Sequence, residues 1–169
     1  FVGLFSFFAS LGLDQIVYRE IIKHPEREPE ILGTSVILKL CGGVIALLVA
    51  LGFSHFFTDN ILEKKLILII SISYIFQAFN IFNYTFQSRL ENQKLSIITI
   101  ITNIILSVLK ISIVFANKGI LFLGGVLVAE PVIFATFFLY IYGKRFGNLK
   151  AFSFHTKTAQ YVLYASFPL

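Results

Sequence analysis

Apolar residues along this 169-residue chain fall in runs of twenty or more, divided by short charged connectors. A run of that length matches the roughly 20 residues that an α-helix needs to cross about 30 Å of hydrocarbon. The pattern predicts four complete spans at 31–57, 66–88, 95–116 and 120–142, with partial spans at 1–13 and 160–169. The connectors are then 14–30, 58–65, 89–94, 117–119 and 143–159. Connectors this short make consecutive helices antiparallel neighbours. The predicted class is all-α, a polytopic transmembrane helix bundle in one transmembrane domain over 1–169. The first run has no basic stretch before it and no small-residue cleavage site after it, which argues against a signal peptide. The chain opens and closes inside apolar runs and has no Met, so it reads as an internal piece of a longer protein.

Composition agrees with this reading. Hydrophobic residues make up 57% and charged residues 14%, at a mean hydropathy of +0.85, against about 45–50% and about 25% in ordinary soluble domains. Lys and Arg are unevenly divided. The first, third and fifth connectors hold nine, from Arg19 to Lys157, and the second and fourth hold three, Lys64, Lys65 and Lys118. Basic loops stay in the cytoplasm, so 14–30, 89–94 and 143–159 are expected on the cytoplasmic side of a bacterial inner membrane. The net charge of +5 then answers to anionic lipid headgroups and not to nucleic acid. Two connector segments have the character of helices lying on headgroups: Ile16, Val17, Glu20, Ile21 and His24, ended by Pro25, and Phe146, Leu149, Phe152 and Phe154 among basic residues. A lone Cys41 excludes a disulfide within the chain, and His24, His55 and His155 are not spaced as metal ligands.

Polar residues inside the spans carry the functional signal. Ser73, Gln77, Asn80, Asn83 and Gln87 recur at spacings of 4, 3, 3 and 4, which places them on one side of a helix. Ser96, Thr99, Asn103, Ser107 and Lys110 repeat the device in the next span. Such residues can serve as interhelical hydrogen-bond partners. Five in register on each of two neighbours exceeds what packing needs, and a wet or substrate-facing cavity accounts for them better.

Three ionisable residues lie within spans: Lys39, Lys110 and Glu130. A charge at mid-bilayer costs about 2.5–3.5 kcal/mol on insertion scales, so it faces a partner or a wet cavity. Lys39 is also near enough to one end to snorkel. Glu130 is either the ion-pair partner of Lys110 or Lys39, or a protonatable coupling group. Pro131 removes the helical bond to the Leu127 carbonyl and kinks the helix beside that acid. Gly124, Gly125 and Ala129 just before it allow close helix approach. A kinked helix with an acid at the kink suits either static packing or a moving part of an alternating-access carrier.

Two stretches, GLDQIVYRE at Gly12–Glu20 and ILGTSVILKLCGG at Ile31–Gly43, resemble the connector after the second helix and the start of the third in oligosaccharide (O-antigen and capsule) flippases. These belong to the multidrug/oligosaccharidyl-lipid/polysaccharide exporter superfamily. ASFPL at Ala165–Leu169 resembles their Ser-x-Pro-Leu opening of the seventh helix. The resemblance implies the N-terminal lobe, from about helix 2 to the start of helix 7, of a two-lobed exporter. It also implies that undecaprenyl-diphosphate-linked oligosaccharide moves from the cytoplasmic to the periplasmic leaflet, alongside polysaccharide polymerase machinery. On this view Lys39 and Lys110 neutralise the anion, and Gln77, Asn80, Asn83, Gln87, Asn103 and Ser107 bond sugar hydroxyls. No cofactor is implied beyond H+ or Na+ as coupling ion. The alternative within the superfamily is a multidrug/cation antiporter, which favours an acid-rich, aromatic-lined cavity. A membrane-embedded sugar transferase or polymerase is disfavoured by outer connectors of eight and three residues. The sequence contains no nucleophile triad, phosphate loop or metal cluster, and no catalysis is predicted.

Overall fold

A computed structural model describes residues 12–89, 92–145 and 152–166. The predicted partial span at 1–13 lies outside them up to residue 11, as do Phe146 and Leu149 of the second interfacial segment and residues 167–169. Seven α-helices are described: α1 Leu13–Lys23, α2 Glu28–Phe57, α3 Ile61–Gln77, α4 Phe82–Ser88, α5 Asn92–Phe115, α6 Ile120–Arg145 and α7 Thr156–Ser166. Four stretches are long and apolar enough to cross a membrane: Pro25–Phe57, Ile61–Ser88, Leu95–Phe115 and Ile120–Lys144. These are the four predicted spans of an all-α membrane bundle.

Three helices, α2, α3 and α5, begin three to five residues before the predicted span. Glu28, Pro29 and Glu30 form the first turn of α2, where carboxylates meet the positive end of the helix dipole and proline lacks no needed donor. Asn60 caps α3 by accepting the Leu62 N–H at 3.0 Å. At the other end of the bundle's third span, Asn117 adopts a left-handed φ of 49°. The N–H of Lys118 reaches Ile113 O at 3.2 Å and that of Asn117 reaches Val114 O at 3.1 Å. This is a Schellman stop with asparagine in glycine's usual place.

The predicted continuous helix over 66–88 is corrected. Between α3 and α4 the residues Ala78–Ile81 tighten into a 3-10 turn. The segment stays one rod, but the hydrogen-bond period changes in its middle.

Packing is closest along α2, α3 and α6. A Cβ on Gly43 of α2 would sit 2.7 Å from the Tyr74 carbonyl oxygen, so only glycine lets the two backbones approach this far. Gly124 of α6 lies against Leu66 of α3, whereas Gly125 faces open space. The apolar face of α1 turns into the bundle: Leu13, Val17 and Ile21 are buried, with Gln15, Arg19 and Lys23 outward. This corrects the expectation that α1 rests on headgroups by that face, because α4, α2 and α7 compete for it and win.

The basic connectors meet at one end. Arg89 donates to the buried Glu28 at 2.6 Å. Arg27 pairs with Glu30 at 2.8 Å, and Thr158 donates to the same carboxylate. Thr34 donates to Ser153 O and accepts from His155 N–H. Phe82, Tyr142 and Phe152 pack there as tilted rings with centroids 5.2–5.7 Å apart.

Candidate functional site

The 3-10 turn organises the first polar stripe. In an α-helix a spacing of three residues drifts by about 60°, while in a 3-10 helix residues i and i+3 eclipse. Gln77, Asn80 and Asn83 straddle the tightened segment, and all three amides line one cavity of about 580 Å³. Gln77 donates to Ser73 Oγ at 3.3 Å, which fixes the end of the row. Gln87 lies one turn further on and donates to Asn83 Oδ1 at 3.3 Å. The Asn80 side chain makes no hydrogen bond among the described residues, so its amide is available to an occupant.

Opposite walls come from the other helices. From α2, Lys39 reaches the cavity and pairs with Asp14 of α1. The Lys39 side chain is only 5% exposed, against 34% for Asp14, so the lysine does not snorkel to a headgroup. The Tyr84 hydroxyl interacts with the same carboxylate. From α5 come Leu95 and Thr99, and from α6 Leu127, Glu130, Pro131, Phe134 and Phe138. Leu127 and Pro131, the two residues that share the lost helical bond, both line the cavity. Among the described residues Glu130 has no cation within ion-pairing distance, so of its two readings the ion pair with Lys39 or Lys110 does not form. No cluster of three or more metal-ligating side chains occurs among the described residues.

A family model described as "Polysaccharide biosynthesis protein" matches residues 1–169, the whole chain. The chain belongs to the polysaccharide biosynthesis protein family. No curated protein and no solved structure matches it significantly. Family membership and four membrane-length helices together make it a membrane protein of polysaccharide biosynthesis.

Within this family member the structure gathers Lys39, Gln77, Asn80, Asn83, Glu130 and Pro131 around one cavity and leaves four expected residues out. Gln87 supports Asn83 from beyond the rim. Asn103 and Ser107 are exposed and Lys110 is half-buried on α5. Lys110 lies eleven residues past Thr99, about 16 Å along the axis. The cavity sits at the end of the bundle where α5 begins, so the outer part of the second stripe runs past it. Asp14, Tyr84 and the aromatic wall of Phe134 and Phe138 join the cavity unforeseen. Asp14 reads in sequence as part of a connector, and its motif, Gly12–Glu20, was its only signal. Tyr84 and Phe134 look like ordinary span residues.

Proposed function

We propose that the chain forms the N-terminal lobe of a flippase that carries polyprenyl-diphosphate-linked oligosaccharide across the bacterial inner membrane by alternating access. The single observation behind this reading is the cavity. Three amides and two phenylalanines line it between helices of membrane-spanning length, in a polysaccharide biosynthesis protein. Amides bond sugar hydroxyls, and aromatic faces pack on the apolar faces of sugar rings. The cavity lies toward the end where the basic connectors meet. By the distribution of Lys and Arg that end is cytoplasmic, the side from which such a cargo loads. The lipid tail stays in the bilayer, and the protein acts as a carrier and not as an enzyme.

Glu130 is the residue on which a coupling proton or Na+ would act. It sits half-buried beside Pro131 with no described cation within ion-pairing distance, which leaves its carboxylate accessible to a coupling ion. Complementation tests the reading. The full-length gene is placed in a strain lacking its surface-polysaccharide flippase, and periplasmic sugar exposure is scored. Restoration by the unchanged gene and loss with Lys39→Ala, at equal insertion, support it. Normal polysaccharide with Lys39→Ala would sink it.

A second reading, the multidrug/cation antiporter, is favoured by one observation. The charged groups lining the cavity are one lysine and two carboxylates, Lys39 against Asp14 and Glu130. Efflux of a cationic dye without restored polysaccharide would make this the better account.

A further inference from the structure

A cavity meant for a diphosphate should offer it positive charge, yet its one lysine is already neutralised. The two partners of that ion pair are not equivalent. The Lys39 side chain is 5% exposed and comes from the tightly packed α2, while the Asp14 side chain is 34% exposed and stands in the first turn of α1. Of the two, only the carboxylate can leave and be rehydrated at modest cost. A buried cation stripped of its partner is strongly unfavourable, so Lys39 must pass from one anion to another without an unpaired interval. Both Lys39 and Asp14 line the cavity, so an anion inside it reaches the lysine from the same space that the carboxylate occupies. The Tyr84 hydroxyl interacts with the same carboxylate and is released from it when that carboxylate swings away.

We propose that Asp14 is the resident counter-ion of Lys39, and that the diphosphate of the cargo displaces it. This rests on the flippase reading above and names the residue that sets selectivity at that site. A diphosphate carries more charge than a carboxylate and wins the exchange. A neutral glycolipid offers Lys39 nothing in return for Asp14 and is refused. The pair therefore filters for cargo bearing a polyanionic headgroup, and Asp14 acts as a positioning residue through Lys39.

The test uses the full-length protein in detergent and farnesyl diphosphate as probe. Asp14→Asn removes the competitor and is expected to tighten binding about tenfold or more. Asp14→Glu keeps the unchanged affinity, and Asp14→Asn with Lys39→Gln loses the gain. A folded Asp14→Asn protein that binds no tighter than the unchanged one overturns the inference and leaves the flippase reading standing. If no variant binds farnesyl diphosphate, both fall. Should Asp14→Asn fail to fold, a spin label at Gln15→Cys in a Cys41→Ser background reads the exchange directly. The label is expected to gain mobility when farnesyl diphosphate is added, and a spectrum that does not change overturns the proposal.

Discussion

On the 61–88 rod, Ser73 is buried, and Gln77, Asn80 and Asn83 line the cavity. On α5, five polar residues at almost the same period contribute one lining residue, Thr99, while Asn103 and Ser107 stay exposed. The surroundings differ and the stripes do not. The 61–88 stretch lies between α2 and α6, and a third of its most apolar window is buried. α5 leans on α6 along one edge, with 11% of its window buried. A polar stripe therefore says that a helix face is unsuited to lipid. What that face meets is decided by the neighbours, and a period of three to four residues contains no information about them.

The largest expected effect tests the packing beneath the first stripe. Gly43→Ala pushes a methyl group against the Tyr74 carbonyl and forces α2 from α3. The expected loss is about 1–3 kcal/mol, read as a lowered Tm of the full-length protein in detergent. Gly125→Ala, a glycine of α6 with nothing within 4 Å, is expected to leave Tm unchanged or raise it by the helix preference of alanine, about 0.5–1 kcal/mol. Equal losses at both glycines would mean that the two regions are packed alike.

Next comes transport. Asn80→Leu is expected to cut complementation at least about tenfold, because it removes an unengaged amide from the cavity row and leaves sugar hydroxyls unpaired on loading. Asn103→Leu and Lys110→Ala on α5 are expected to stay within about threefold of the unchanged protein. A defect as deep at Lys110 as at Asn80 would show that the second stripe meets cargo at another stage of the cycle, and the contrast drawn from this cavity would fail.

How far these positions can be read without coordinates follows from their physics. The spans come from apolar runs, a signal summed over twenty residues each, and the structure has the same four, two of them beginning five or six residues earlier. Gln77, Asn80 and Glu130 were legible because a polar group in hydrocarbon is costly wherever it points. The 3-10 turn over Ala78–Ile81 was not, because nothing in Ala-Phe-Asn-Ile departs from helical composition. Asp14 escaped for the opposite reason. A carboxylate outside an apolar run carries no penalty that marks it, and only the fold of α1 against α2 brings it to Lys39, twenty-five residues away.

The smallest expected effect concerns Gln87, a member of the first stripe that touches the cavity only through its neighbour. Its amide donates to Asn83 Oδ1 at 3.3 Å, one helical turn away. Gln87→Leu removes that bond and leaves Asn83 in place. A side-chain hydrogen bond between membrane helical residues is worth about 0.6 kcal/mol on average, so the Asn83 amide is loosened and not lost. The expected consequence is a fall in transport of about threefold, well short of the Asn80→Leu defect and without a change in Tm. Gln87→Glu separates support from contact, because its carboxylate cannot donate to Asn83 yet could still bond a sugar hydroxyl. If Gln87→Glu matches Gln87→Leu, the residue works through Asn83 and the cavity ends there. Full transport with Gln87→Glu would instead put Gln87 in contact with the cargo and extend the lining of the first stripe by one more turn.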